Sequence, residues 1–219
     1  MAFYFVPFAV QNCQMPISPN HIVALIVAVS FSAGLNVYAT VATLGLLGRF
    51  GALRLPPGIH LLQDWTIIIL ALALFFLEVF ADKVPYFDLL WNALHTFIRI
   101  PVAALLAYGA SHQLSPEWQV LSVAAATGVS LAAHAGKTAF RVGVTPSPEP
   151  FSNTALSAGE DIFAIALTWF AGHHPFIAAT IAAILTGFLI VIIRWIVRRL
   201  RAVYRRLTAG PNPSPVSET

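Results

Sequence analysis

The sequence PFIAATIAAILTGFLIVIIRWIVRRLRAVYRR, at residues 175–206, combines a long apolar run with a dense cluster of arginines. The apolar part, about residues 175–197, is long enough for a helix to cross a lipid bilayer. The arginines are Arg194, Arg198, Arg199, Arg201, Arg205 and Arg206. Such a cluster at the end of an apolar helix is typical of the cytoplasmic side of a membrane, where it attracts anionic lipid head groups. We therefore interpret it as a membrane anchor and not as a nucleic-acid-binding segment.

The composition of the whole chain also predicts a membrane protein. The 219 residues are 58% hydrophobic and only 10% charged, with a mean hydropathy of +0.78, whereas a soluble domain has about 25% charged residues. Cys13 is the only cysteine, which excludes an internal disulfide and a cysteine metal cluster. The sequence also has no compact metal-ligand motif such as HExxH. We expect an all-α polytopic membrane protein with no bound metal and no other cofactor.

Six apolar runs predict about six transmembrane helices, at residues 22–48, 64–82, 89–110, 119–141, 154–172 and 175–197. Prolines and polar turn residues separate these runs. With the arginine cluster in the cytoplasm, six spans place both termini inside, although Arg49 and Arg54 in the first connection do not fit this orientation. The expected regions are a short interfacial segment (1–20), a transmembrane helical domain (21–200) and a basic, then disordered cytoplasmic tail (201–219).

The transmembrane domain contains a weak internal repeat. Residues 30–33 (SFSA) resemble residues 130–133 (SLAA), and a proline-rich connection follows each of the two spans that hold them. The repeats would be residues 21–111 and 119–200. Because each half has three spans, the second would be inverted relative to the first, a plan that is frequent in transporters with the site at the repeat interface.

The segment ADKVPYFDLLWNALHTFIR, residues 81–99, places polar side chains in an otherwise apolar helix. Four of these residues are 4, 3 and 4 positions apart and so share one helix face: Asp88, Asn92, His95 and Arg99. A charged side chain at bilayer depth costs about 2.5–3.5 kcal/mol on insertion scales, so it must face protein, water or a ligand. Two interpretations stay open, an ion-pair network that holds helices together and a binding site for an ion or substrate.

Other spans carry polar residues that face one side of their helices, and a proline-rich segment, SPEPFSN, precedes the fifth span. Together with the four residues above, they form the candidate substrate- or ion-binding set: Asn36, Glu78, Asp82, Lys83, Asp88, Asn92, His95, Arg99, His134, Lys137, Arg141, Glu149, Asn153, Glu160 and Asp161. Six carboxylates in this set face four lysines and arginines. Because a buried unpaired carboxylate is costly, the excess favours a pathway for protons or cations over one for anions.

Three strings resemble the motifs of a family of bacterial integral membrane proteins that is defined only as a domain of unknown function. They are GLNVYAT (34–40), ADKVPYFDLLWNALHTFIRIP (81–101) and TPSPEPFSNTALSAGEDI (145–162). The likeness covers about residues 25–175. It implies a bacterial cytoplasmic (inner) membrane location and the importance of these segments, but it implies no substrate.

The leading functional hypothesis is a small transporter or channel for an ion or small polar solute, coupled to a proton or cation, with His95 able to relay protons. One alternative is an intramembrane enzyme that acts on a lipid or isoprenoid. Another is a structural or assembly subunit of the membrane. The expected partners are the bilayer, with anionic lipid at the arginine cluster, and the transported ion or solute, without nucleic acid. A homo-oligomer is compatible with a ladder of small residues in the fourth span.

Overall fold

The computed structural model describes residues 18–81, 87–144 and 150–208, and these ranges contain only helices and their connections. A 3-10 helix, Pro57–Gln63, precedes the third of the seven α-helices. The α-helices are α1 (Pro19–Leu35), α2 (Val37–Arg49), α3 (Trp65–Ala81), α4 (Phe87–Ala110), α5 (Pro116–Val144), α6 (Pro150–His173) and α7 (Pro175–Thr208). The prediction of an all-α fold is confirmed for the described part of the chain.

The first predicted span, residues 22–48, is two helices and not one. α1 ends and α2 begins at Asn36, whose backbone is extended with φ −147° and ψ 104°. The Asn36 side chain accepts a hydrogen bond from the Ala39 N–H at 2.9 Å, which makes it the N-cap of α2. The prediction of one continuous helix is therefore wrong. An asparagine that fits a polar helix face also competes for backbone N–H groups and can start a new helix.

The remaining helices lie close to the predicted spans. α5, α6 and α7 each begin with a proline, which lacks the N–H that a first helical residue cannot use. α7 continues to Thr208, so residues 201–208 are helical beyond the predicted end of the transmembrane domain. Residues 1–17 and 209–219, which hold most of the predicted interfacial segment and of the disordered tail, lie outside the described residues.

α1 is the centre of the bundle. It packs against α4, α5, α6 and α7, and twelve of its residues are buried. α1 and α5 approach closely at Gly34, where a Cβ would lie 2.5 Å from the Ser130 carbonyl oxygen and 2.7 Å from the Ala133 Cβ. Only glycine allows this approach. It brings together the two similar strings, residues 30–33 and 130–133.

The bundle buries several charged side chains and exposes many large apolar ones. Glu78, Arg99 and Lys137 are at most 1% exposed. Large apolar side chains on five helices are more than 60% exposed, among them Ile69, Phe97, Val120, Ile162 and Val191. Monomeric soluble proteins rarely expose apolar patches larger than a few hundred Å². Large apolar side chains thus cover much of the outside of the bundle, and these three charged side chains lie within it.

By length and composition, one described helix segment could cross a membrane, namely Pro175–Ala202 of α7. The 3-10 helix and α3, over Pro57–Gln63 and Trp65–Phe80, pass the same test as a pair that is bent by 67°. α1 and Leu94–Ala110 of α4 are apolar but shorter. This criterion therefore gives one or two spans in the described part of the chain, fewer than the six predicted.

Candidate functional site: a buried polar network at a helix break

The break between α1 and α2 exposes backbone groups inside the bundle. In a continuous helix the Leu35 carbonyl would accept a hydrogen bond from the Ala39 N–H. The Asn36 side chain takes that N–H instead. The Leu35 carbonyl accepts from Nζ of Lys137, on α5, at 3.1 Å. The Asn36 Nδ2 donates to Oδ1 of Asp161, on α6, at 2.8 Å. Asn36 thus makes the break, and residues on α5 and α6 form hydrogen bonds with the Leu35 carbonyl and the Asn36 side-chain amide.

Lys137 is the hub of the buried ion pairs. Its Nζ lies 3.2 Å from Oε2 of Glu160 on α6 and 3.7 Å from Oε1 of Glu78 on α3. Glu78 in turn pairs with the guanidinium of Arg99 on α4. These pairs join α3, α4, α5 and α6 to the break between α1 and α2. Charges taken out of water in this way are tolerated only when they are paired and hydrogen-bonded.

His134, on α5, extends the network from Arg99 to Thr96, both of which lie on α4. Its Nδ1 lies 3.1 Å from Nη1 of Arg99, and its Nε2 lies 2.7 Å from Oγ1 of Thr96. Because a guanidinium can only donate, Nδ1 accepts from Arg99 and Nε2 carries the proton. The Nε2–H then donates to the Thr96 hydroxyl. The geometry favours a neutral His134 that orients Arg99 without adding charge to the site.

A second buried histidine contacts an aromatic residue at the edge of the network. His95 is 1% exposed, and its ring packs edge-on against Tyr38 of α2 with the ring centroids 5.4 Å apart. Tyr38 also lines an apolar groove of about 330 Å³ between α2, the 3-10 helix, α3 and α4. Leu74 and Val102 line the groove one turn from Glu78 and Arg99 along their helices. The apolar groove and the polar network are therefore neighbours.

The described part of the network carries more negative than positive charge. Glu78, Glu160 and Asp161 face the cations Arg99 and Lys137, which leaves a formal charge of −1 when the histidines are neutral. Two buried polar atoms, Oε2 of Glu78 and Nε of Arg99, have no hydrogen-bond partner among the described residues. Buried polar atoms normally have one, so Oε2 of Glu78 can accept from a water or take up a proton or cation, and the Nε–H of Arg99 can donate to a water.

Residues 23–195 match the family model described as "Domain of unknown function (DUF4126)". The chain belongs to this family. The matched range includes α1 from Val23 onward, the break at Asn36 and every residue of the buried network. The expected membership in a family of unknown function is confirmed. The comparison with curated proteins gives no match, and the comparison with solved structures gives none either. The DUF4126 description assigns no activity, so the chemistry must be argued from the geometry.

Within this DUF4126 chain, eight of the fifteen predicted site residues meet in one network: Asn36, Glu78, His95, Arg99, His134, Lys137, Glu160 and Asp161. The other seven predicted residues cannot be placed in the network, because the structure describes neither backbone nor side chain for three of them and only the backbone for the other four. They are Asp82, Lys83 and Glu149, and Asp88, Asn92, Arg141 and Asn153. The function of the eight residues stays a prediction.

Sequence reasoning missed three participants in the network. Thr96 lies three residues before Arg99, a spacing that places the two on one helix face. Tyr38 follows Asn36 by two residues and carries a hydroxyl in an apolar run. The Leu35 carbonyl has no sequence signal of its own, but an asparagine before a run of apolar residues is a helix-start signal and would have located the break. Among the described residues no group of three or more His, Cys, Asp or Glu side chains could hold a metal ion.

Proposed function

We propose that this protein is a polytopic protein of the bacterial cytoplasmic membrane. In this arrangement α1 and α2 form one broken span, and α3 to α7 form five more. The exposed apolar side chains and the buried charges support it. α4 to α7 have 24 to 34 residues each and are about 36–51 Å long at 1.5 Å per residue, enough for a hydrocarbon core of about 30 Å. The arginines of α7 then lie against anionic lipid in the cytoplasm, with both termini inside.

Two inverted repeats of three spans each are part of the proposal, with α1 and α2 counted as one broken span. The first repeat contains α1 to α4, and the second contains α5 to α7. α1 packs against α7 as α5 packs against α4, and α1 and α5 cross at Gly34. The repeats differ in one respect, since α6 packs against α1 and α2, whereas α3 packs mainly against α2. This difference leaves the apolar groove beside α3.

The function that the geometry supports best is transport of a proton or small cation through the network at the helix break. The observation that carries this proposal is the break at Asn36, deep in the bundle, where the Leu35 carbonyl accepts from Lys137 and the Asn36 side-chain amide donates to Asp161. Irregular backbone at membrane depth is tolerated where protein or a water-filled cavity surrounds it. Transporters place discontinuous helices at their substrate and ion sites. The excess negative charge of the described network favours a cation as the transported species.

Flux measurements in proteoliposomes test this function. The purified protein is reconstituted, and the movement of H⁺, Na⁺ and K⁺ is measured against protein-free liposomes. We expect flux of at least one of these ions, and a loss of about tenfold or more in Glu160→Gln. Glu117→Gln is the matched control, because it makes the same substitution at an exposed glutamate in the first turn of α5, outside the network. Equal flux with and without protein, for all three ions, contradicts the proposal.

An intramembrane enzyme that acts on a lipid or isoprenoid is the second candidate. The apolar groove favours it, because a lipid chain in the groove would bring its polar end to Tyr38, close to His95, Glu78 and Arg99. Turnover of added lipid without ion flux would select this function. Variants that neutralise Glu160 or Asp161 and alter only stability would instead select a structural or assembly role.

A further inference from the structure

The apolar groove between α2, the 3-10 helix, α3 and α4 opens to the outside of the bundle. Ala71 on its floor is 4% exposed, whereas Leu70 and Leu105 on its rim are 58% and 66% exposed. Along α3 it extends from Ile67 to Leu74, a rise of about 10 Å at 1.5 Å per residue. Its volume of about 330 Å³ lies at the lower end of the range for ligand pockets, about 300–1,000 Å³. In the hydrocarbon of a bilayer, where there is no water, an apolar chain is what fills such a groove.

Two close backbone contacts hold the 3-10 helix against the bundle at one end of the apolar groove. A Cβ on Gly45 of α2 would lie 2.5 Å from the carbonyl oxygen of Leu62, and a Cβ on Gly58 would overlap the carbonyl of Gly109 on α4. The chain then bends by 67° into α3. Since both contacts are made by backbone at glycines, this end of the groove is set by the fold and does not depend on side-chain rotamers.

The two ends of the apolar groove lie in different surroundings. At the inner end are Tyr38 and Leu74, beside the buried network. At the outer end is the 3-10 helix, which leads to Trp65 at the start of α3. The guanidinium of Arg49 lies over the Trp65 ring, 5.3 Å from its centroid, and Trp65 is 44% exposed. Because tryptophan rings favour the head-group level of a bilayer, we place Arg49 at that level.

The connection that joins α2 to α3 carries a net positive charge. It has Arg49 and Arg54 against Asp64, and the Asp64 side chain also caps α3. Leu53 of this connection packs close to Gly172 at the end of α6, just before α7 begins. The two arginines therefore lie at the face of the bundle opposite to the α7 arginines, where the charge bias of cytoplasmic loops does not account for them.

We propose that the apolar groove binds one acyl chain of an anionic phospholipid, whose phosphate is held by Arg49 at the head-group level. A guanidinium suits this role, because it donates two parallel hydrogen bonds to a phosphate. The chain runs past the 3-10 helix, and its methyl end lies at Tyr38. The arginines that the charge bias leaves unexplained then have a ligand. This inference rests on the proposed membrane location and not on ion transport.

Photo-crosslinking in liposomes tests the proposal. The full-length protein is reconstituted with phosphatidylglycerol that carries a diazirine at the end of one acyl chain, and the labelled residues are mapped by mass spectrometry. We expect labelling at the inner end of the groove, at Tyr38, Leu74 and Val102. Excess unlabelled phosphatidylglycerol should suppress this labelling about fivefold better than phosphatidylcholine does, the factor that one arginine near anionic lipid supplies. Arg49→Gln should remove this preference.

Two matched variants of α3 separate the groove from the lipid that surrounds the whole protein. Leu70→Trp places an indole at the rim of the groove and should reduce the labelling of the groove residues about fivefold or more. Ile69→Trp makes a similar change at the neighbouring residue, which is 61% exposed and does not line the groove. It should leave the labelling unchanged. Both positions are exposed, so neither variant disturbs the core.

Phe97, which is 80% exposed on α4, reports whether the protein lies in the bilayer at all. Labelling of Phe97 without labelling of the groove residues overturns the proposal and leaves the membrane location standing, whereas no labelling of either contradicts both. Equal competition by the two lipids overturns the anionic occupant. Labelling of Tyr38 by a diazirine on the head group overturns the orientation and favours the enzyme that acts on a lipid.

Discussion

Replacing Asn36 by alanine tests the idea that one side chain makes the helix break and joins it to α6. Two interactions are lost. The first is the N-cap bond to the Ala39 N–H at 2.9 Å, and caps of this kind contribute about 0.5–2 kcal/mol. The second is the 2.8 Å bond to the Asp161 carboxylate, and hydrogen bonds to charged groups contribute about 1.5–3 kcal/mol. Asn36 is 0% exposed, so water cannot replace either bond without repacking. We expect a total loss of about 2–5 kcal/mol.

Denaturant unfolding in mixed micelles, followed by tryptophan fluorescence, measures this loss. Asn36→Ser is the matched control, because serine keeps the capping oxygen but is too short to reach Asp161. It should lose only the second contribution, about 1.5–3 kcal/mol. A double-mutant cycle of Asn36→Ala with Asp161→Ala should give a coupling energy of similar size. The reasoning is refuted if Asn36→Ala unfolds within about 0.5 kcal/mol of wild type.

Three further predictions concern the helix crossing, the buried ion pair and the arginines. Gly34→Ala should destabilise the protein by about 1–3 kcal/mol or more, since its Cβ would overlap Ser130 and Ala133. A Cβ at Gly128 meets nothing within 4 Å, so the control Gly128→Ala should be neutral or stabilising. Equal unfolding midpoints of the two variants would contradict this prediction. Glu78→Ala should cost about 3–5 kcal/mol in the same unfolding assay, because it leaves a buried guanidinium without its carboxylate, and a cost below about 1 kcal/mol would argue against the pair. Arg198→Gln should weaken the binding of anionic lipid about fivefold, because Arg198 lines a surface site with Arg201 and Arg205. Native mass spectrometry in lipid mixtures measures this affinity. An unchanged affinity would contradict the proposed contact between the arginines and anionic lipid.

The cost of burying charge made the interior of the site predictable from the sequence. Arg99, His95 and Lys137 stand in apolar runs, so physical chemistry requires each of them to face inward, and the structure places them there. Their partners were not predictable in the same way. Glu78 is 21 residues from Arg99, and Leu35 is 102 residues from Lys137. Which groups meet depends on how the helices pack, and helical periodicity gives only the face on which each residue lies.

The break at Asn36 shows a different limit of sequence reasoning. Ser32, Asn36 and Thr40 are spaced as one polar face of a long helix. Ser32 and Thr40 indeed bond to backbone carbonyls one turn earlier, as hydroxyls in helices do. Asn36 instead ends one helix and caps the next. The same residue type fits both structures locally, and its contact with Asp161 on a distant helix stabilises the broken one.

The most direct test of transport through the network at the helix break is proton movement in proteoliposomes loaded with a pH-sensitive dye. A Na⁺ gradient or a membrane potential is imposed, and the change in internal pH is followed with time. The account predicts proton flux for wild type, and flux at the level of protein-free liposomes for Glu160→Gln and for Lys137→Arg, whose larger head group disturbs the contacts with Leu35 and Glu160. Wild-type flux equal to that of protein-free liposomes, or full flux in both variants, would contradict it.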